Sequence, residues 1–187
     1  MRISAGEHRG RRLQGTKGRV TRPTSDLLRQ AVFNVLGDRI LEGRLLDLFA
    51  GTGSVGLEAL SRGAASVTFI ERDRRAVGAL RSNLASLGLT SRARVIIGDV
   101  LPALRRFQAA GETFDCIFLD PPYAGDLAVR CIEMLADGVL LGDNGALVAQ
   151  AFHKSGLPDR AGVLRRTWHR RYGESVLALY AKEEACT

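Results

Sequence analysis

The stretch Leu45–Leu60, LLDLFAGTGSVGLEAL, decides how the rest of the chain is read. An apolar segment runs directly into Gly51, Gly53 and Gly56, and then into a helix-like run. Glycines at G-x-G-x-x-G spacing let backbone approach a ligand closely, and the helix N-terminus behind them offers amide donors. Further strand-like runs follow at 66–71, 93–98, 114–119 and 145–151, the first being 44–49. Helix-like segments near 54–62, 73–87, 100–109 and 126–136 lie between them. Strands alternating with helices predict a parallel sheet covered on both faces.

The flanks differ in character. Upstream, RISAGEHRGRRLQG (Arg2–Gly15) is glycine-rich and weakly alternating, which predicts a short hairpin or extended arm. PTSDLLRQAVFNVLG (Pro23–Gly37) then has Thr24 or Ser25 as N-cap candidates. Leu27, Leu28, Ala31, Val32, Val35 and Leu36 make one apolar helix face, and Gly37 is placed to end it. Downstream, VLRRTWHRRY (Val163–Tyr172) and SVLALYA (Ser175–Ala181) meet at Gly173 and predict a closing antiparallel hairpin.

A chain of 187 residues, 45% hydrophobic and 25% charged, buries a core large enough to need neither disulfides nor a structural metal. Cys116, Cys131 and Cys186 are far apart, and His8, His153 and His169 are unclustered, so a reduced cytoplasmic setting with no metal site is the expectation. No run has membrane-spanning length, and a monomer is expected. The net charge of +7 is concentrated: residues 1–22 hold Arg2, Arg9, Arg11, Arg12, Lys17, Arg19 and Arg22 against Glu7 alone. A second cluster, Arg165, Arg166, Arg170 and Arg171, is interleaved with Trp168, His169 and Tyr172. Cations beside aromatic rings suit nucleic acid, although a solvated basic terminus accounts for the charge equally well. The division read from sequence is a basic arm at 1–22 and a catalytic domain at 23–187.

Three acids stand at three successive strand ends: Asp47, Glu71 and Asp99. A dinucleotide site places an apolar residue where Asp47 stands, and a pyrophosphate would be repelled by this carboxylate. A cationic nucleoside, S-adenosylmethionine, matches the set. Asp47 would face its ammonium, Glu71 its ribose diol and Asp99 its adenine amine. Phe49, Ala50, Gly51, Thr52 and Gly53 of the loop complete the candidate cofactor site with Arg72 and Val100, the neighbours of Glu71 and Asp99. Helix capping is the competing account of Glu71 and Asp99.

FDCIFLDPPYAG (Phe114–Gly125) supplies the other half. Two prolines stop the strand at Asp120, at the mouth of the sheet. A planar exocyclic amine is a poor nucleophile because its lone pair is delocalised. The Asp120 carboxylate and Pro121 carbonyl would each accept one of its N–H groups and stabilise charge as the nitrogen becomes tetrahedral. Pro122 stiffens the turn, and Tyr123 can stack on the ring.

Taken together, DLFAGTG, ERD, GD and DPPY, in this order, resemble the class I S-adenosylmethionine-dependent amino-methyltransferases. The opening RISAGEHRGRRL and TRPTSDLLRQAVFNVL, with the closing RRYGESVLALY, resemble more narrowly the RsmD family, from Arg2 to about Tyr180. That resemblance implies a seven-stranded, mostly parallel Rossmann-like sheet with helices on both faces and a short N-terminal hairpin. It implies methyl transfer to the N2 amine of a guanine in 16S rRNA, within a small-subunit ribonucleoprotein. It also implies that Arg22 and Thr24 contact the methionine end of the cofactor. RNA binding would fall to Arg2, Arg9, Arg11, Arg12, Lys17, Arg19, Arg170 and Arg171. The competing expectations are another planar amine (adenine N6, cytosine N4 or a protein glutamine), a nicotinamide-dependent oxidoreductase, and an assembly factor with an inactive pocket.

Overall fold

The computed structural model describes residues 1–15, 26–122 and 125–183. Five strands, β1 (Arg44–Asp47), β2 (Ser66–Glu71), β3 (Ala93–Ile97), β4 (Phe114–Leu119) and β5 (Leu141–Phe152), pair in parallel. β8 (Ser175–Lys182) runs antiparallel to β5, and β7 (Leu164–Tyr172) antiparallel to β8, forming the expected closing hairpin. All seven expected strands are present. An eighth, β6 (Arg160–Ala161), adds two residues at the edge, so the sheet order is β3-β2-β1-β4-β5-β8-β7-β6.

Period-two alternation sends neighbouring side chains to opposite faces and so builds two cores. Leu45, Phe69, Phe118 and Val148 face α1 (Asp26–Leu36), α2 (Ser54–Ser61) and α3 (Arg74–Leu87). Leu46, Ile70, Ile117 and Leu147 face α4 (Val100–Ala109) and α5 (Leu127–Met134). Near-continuous apolar strands are what a sheet buried on both sides requires. α1 ends at Leu36, with Gly37 at φ 57°, where glycine carries no steric penalty. The cap expected at Thr24 or Ser25 lies outside the described residues.

Residues 1–15 fold back on themselves. The Ile3 N–H donates to the Arg11 carbonyl and the Leu13 N–H to the Met1 carbonyl, each at 3.0 Å, with Arg2 and Arg12 bridged antiparallel. Ile3 and Leu13 are buried in the same core as α1. Glu58, fully buried in α2, accepts from the Ser4 N–H (2.8 Å), the Ser4 hydroxyl (2.6 Å) and the Ala5 N–H (3.0 Å). It also pairs with Arg62 at 2.9 Å and stands 3.4 Å from buried Arg29. The basic segment is therefore fastened to the domain through its backbone, while its arginines face outward.

The chain proceeds outward from β1 to β3 and then returns to lay β4 beside β1. The crevice of an open α/β sheet forms at such a reversal, beyond the carboxyl ends of the strands. Asp47 closes β1 and Asp120 follows β4, so the fold itself brings these two acids to one place.

Candidate active site

A cleft of about 1240 Å³ opens at this reversal. Single small-molecule sites occupy roughly 300–1000 Å³, so this cleft exceeds the usual size of a site for one small ligand. One half is built on the glycine loop. Gly53, at φ 88°, leads into α2, and its N–H donates to the Ala50 carbonyl at 2.8 Å. A Cβ at Gly53 would overlap Leu80, and one at Gly56 would overlap the Phe69 ring. These two glycines therefore hold α2 and α3 tight against β2. Gly53 shapes the loop from behind, whereas Phe49, Ala50, Gly51 and Thr52 line the cleft.

Glu71 is committed to this loop. Its Oε2 accepts from the Gly51 N–H at 2.7 Å and its Oε1 from the Asp73 N–H at 2.8 Å. Each carboxylate oxygen keeps a second lone pair for a ligand hydroxyl. The cap of α3 is Asp73, which accepts from the Arg75 N–H at 2.8 Å, so capping does not account for Glu71. Asp99 occupies the N-cap position of α4 without a side-chain cap bond. It is largely exposed, 3.8 Å from Arg72, and lines the cleft with Arg72 and Val100.

Asp47 carries the sharpest electrostatic signal. It is 1% exposed, and its Oδ2 accepts from the Gly56 N–H at 3.3 Å. Its Oδ1 is buried with no hydrogen-bond partner among the described residues. Burial, reinforced by the nearby negative charges of Asp120 and Glu71, pushes its carboxyl up from 3.8 to about 7. A buried acceptor without a partner costs free energy that a ligand can recover. Carboxylates grouped closely enough to raise one another's proton affinity favour a cationic ligand. The residues present thus fit a ligand that carries an ammonium and a sulfonium.

The other half of the cleft is the chain after β4. Asp120 is half-buried, Pro121 buried and Pro122 exposed, and all three line the cleft. Tyr123, Arg22 and Thr24 lie outside the described residues, as do Lys17 and Arg19. The other arginines assigned to nucleic acid are exposed. Arg2 donates to the Gly10 carbonyl at 2.8 Å, Arg11 to the Ser86 carbonyl at 3.0 Å and Arg171 to the Gly173 carbonyl at 2.6 Å. Each guanidinium retains further donors. Arg170 sits 5.6 Å from the Tyr172 ring centroid. Both basic segments reach the rim of the cleft, one through Met1, Leu13 and Gly15, the other through Tyr172 and Gly173. Among the described residues no cluster of His, Cys, Asp and Glu could hold a metal, and no helix is long and apolar enough to cross a membrane.

Two contributors are not evident from the sequence. Gln150, on β5, lines the cleft and is buried. Its signal is a lone polar residue at the end of the apolar run GALVAQAF (Gly145–Phe152), the same kind of interruption that exposes Asp47. Asn83 reads in the sequence as a residue that packs or hydrogen-bonds near the core, without a catalytic role. It is 1% exposed and does more than fill space. Its Oδ1 accepts from the Gln14 N–H at 2.7 Å, and its Nδ2 donates to the carbonyls of Gln14 and Thr52, each at 3.1 Å. One amide thus ties the N-terminal segment to the glycine loop.

The family described as conserved hypothetical protein 95 matches residues 1–181. Ribosomal RNA small subunit methyltransferase D of Escherichia coli strain K12 is 37% identical over 187 residues, 98% of this chain and 90% of that one. The chain belongs to the RsmD family. The shared fold extends to solved structures. The Escherichia coli protein yhhF superposes with a TM-score of 0.86 at 35% identity, over 98% of both chains. A hypothetical protein of Thermus thermophilus gives 0.82 at 36% identity, over 98% of this chain and 99% of that one. RsmD membership thus rests on whole-chain similarity, and the cleft is built from the motifs that first suggested it.

Proposed function

We propose that this protein transfers a methyl group from S-adenosylmethionine to the exocyclic N2 amine of a guanine in 16S rRNA, with a small-subunit ribonucleoprotein as substrate. The observation that carries this reading is the cleft itself. At the reversal of one sheet it unites buried Asp47, with one oxygen unpartnered, and the Asp120-Pro121-Pro122 turn. The Escherichia coli relative's name, a methyltransferase of small-subunit ribosomal RNA, supports the substrate class. S-adenosylmethionine supplies an electrophilic methyl on a sulfonium. When bound it would give that methyl to the nitrogen, with S-adenosylhomocysteine as the neutral thioether leaving group.

The chain's own residues would bind, orient and neutralise. Asp47 would hold the ammonium, and Glu71 and Asp99 the nucleoside, with Arg22 and Thr24 at the methionine end. The Asp120 carboxylate and the Pro121 carbonyl would accept the two N–H groups of the target amine and hold its lone pair toward the methyl group. Positive charge grows on that nitrogen during transfer, so fixed acceptors stabilise the transition state more than the ground state. The extra proton then leaves to water or through Asp120. Tyr123 would stack on the base. Arg2, Arg9, Arg11 and Arg12, with Lys17 and Arg19, would hold phosphates on one side of the cleft and Arg170 and Arg171 on the other. A pyrophosphate-bearing dinucleotide fits poorly, because its anionic bridge would enter a cleft lined by carboxylates.

Incubation with labelled S-adenosylmethionine and small subunits lacking the modification tests the proposal. N2-methylguanosine in 16S rRNA is the expected product. Label found only in N6-methyladenosine, N4-methylcytidine or protein would overturn the guanine assignment.

A further inference from the structure

Gln150 is the second buried polar side chain of the cleft with an atom left over. It is 3% exposed, and its Oε1 has no hydrogen-bond partner among the described residues. β4 and β5 run parallel with Leu119 beside Ala149, so the next pair in register is Asp120 beside Gln150. Phe118 and Val148, two residues earlier, share one face of the sheet. By alternation Asp120 and Gln150 lie on that same face, as does Asp47, whose register partner is Phe118. Across the cleft these residues stand in the order Asp47, Asp120, Gln150, on β1, just past β4 and on β5. Gln150 is therefore on the side of Asp120 away from the glycine loop, where the acceptor rather than the cofactor belongs.

We infer that Gln150 is a specificity-determining residue that accepts the N1–H of the target guanine, beside the N2 amine held by Asp120 and Pro121. This rests on the acceptor proposed above and sharpens it chemically. In guanine the exocyclic N2 amine neighbours a ring N–H. In adenine and cytosine the exocyclic amine neighbours a ring nitrogen that only accepts. Asp120 and the Pro121 carbonyl serve any of these amines, because each offers two N–H groups. An additional acceptor next to Asp120 finds a donor only on guanine; with adenine or cytosine, two lone pairs would confront each other in a desolvated site. The vacant valence of Gln150 thus distinguishes guanine from the two other nucleobases that Asp-Pro-Pro-Tyr tolerates.

The test pairs the residue with the base. Small-subunit RNA carrying either guanine or 2-aminopurine at the target position separates the contributions, since 2-aminopurine keeps the exocyclic amine but lacks the N1–H. Gln150→Met is expected to lower kcat/KM on the guanine substrate about 10- to 100-fold. Affinity for S-adenosylhomocysteine stays within about two-fold, and Tm does not fall, because Gln150 Oε1 has no hydrogen bond to lose among the described residues. On the 2-aminopurine substrate, Gln150→Met is expected to match or exceed wild type, because the opposed lone pairs are gone, the signature of a direct pair in a double-mutant cycle. Gln150→Glu, which only accepts once ionised, retains discrimination for guanine at a pH where its carboxyl is ionised. Wild-type kcat/KM in Gln150→Met, an equal loss on both substrates, or loss of activity in Gln150→Glu would each overturn this inference alone. A wild-type enzyme that forms no N2-methylguanosine would overturn the proposed function together with it.

Discussion

At the scale of single residues, the cleft sacrifices stability for binding. Asp47 must lose its water on folding and receives in return the backbone N–H of Gly56 and that of nearby Phe49, which do not offset its burial. Its carboxyl, raised from 3.8 to about 7, keeps a proton in the folded protein that the unfolded chain has already released. Between these two values the native state binds more protons, so stability falls as pH rises and levels off above about 7. An ammonium-bearing ligand prefers the ionised carboxylate, so affinity runs in the opposite direction. Calorimetry with S-adenosylhomocysteine is expected to show binding strengthening as pH rises through about 7. Asp47→Asn should flatten that profile, weaken binding about 10- to 100-fold and raise Tm at alkaline pH. Asp120 separates the other way. Asp120→Ala is expected to reduce kcat at least about 100-fold, the cost of removing one fixed charge-stabilising group. S-adenosylhomocysteine affinity should stay within a few-fold, and a parallel loss of affinity would place Asp120 in the cofactor site instead.

At the scale of elements, the glycine loop is held from both ends. Glu71 binds its Gly51 N–H from β2, and Asn83 binds its Thr52 carbonyl from α3. Because Asn83 also bonds both backbone groups of Gln14, the N-terminal segment and the cofactor loop share one anchor. Asn83→Ala leaves buried backbone groups unpaired and should cost about 1–3 kcal/mol in urea unfolding. It should also weaken S-adenosylhomocysteine binding by loosening Thr52, although Asn83 does not line the cleft. Rescue of stability but not of affinity by a compensating mutation elsewhere would confirm that the two effects are separate. The strands and helices around this anchor were legible in the sequence to within a few residues. A parallel strand announces itself by a continuous apolar run, and each helix by a repeat of about 3.6 residues. The roles of Glu71 and Asp99 were less legible. Both precede helices, so capping and ligand binding give the same sequence pattern, and for Glu71 only the position of Asp73 on the α3 amide separates them.

At the scale of the whole molecule, residues 1–15 of the basic N-terminal segment pack into the domain they decorate. Ile3 and Leu13 belong to the core, and Glu58 carries three hydrogen bonds from Ser4 and Ala5. Truncation would therefore uncover apolar surface and strand a buried carboxylate beside Arg29, confounding any test of RNA binding. Reversing exposed charges is cleaner. Arg9→Glu with Arg12→Glu is expected to weaken RNA binding and to reduce the slope of log affinity against log salt by about 0.7–0.9 for each phosphate no longer neutralised. Tm and S-adenosylhomocysteine binding should be unchanged; an unaltered salt slope would assign these arginines to a solvated surface. The sequence by itself determined the alternation of strands and helices, the glycine turn and the stop at Pro121 and Pro122. Each of these is encoded among adjacent residues, through periodicity and through the allowed backbone angles of glycine and proline. Only the tertiary structure decided that Asp47, Asp120 and Gln150 stand in one row, that Asp47 and Gln150 each keep an unpartnered oxygen, and that Asn83 joins two distant segments. Those properties depend on which strands become neighbours when β4 returns beside β1, and on the burial of Asp47 and Gln150 that follows. Neither exists until the sheet has assembled.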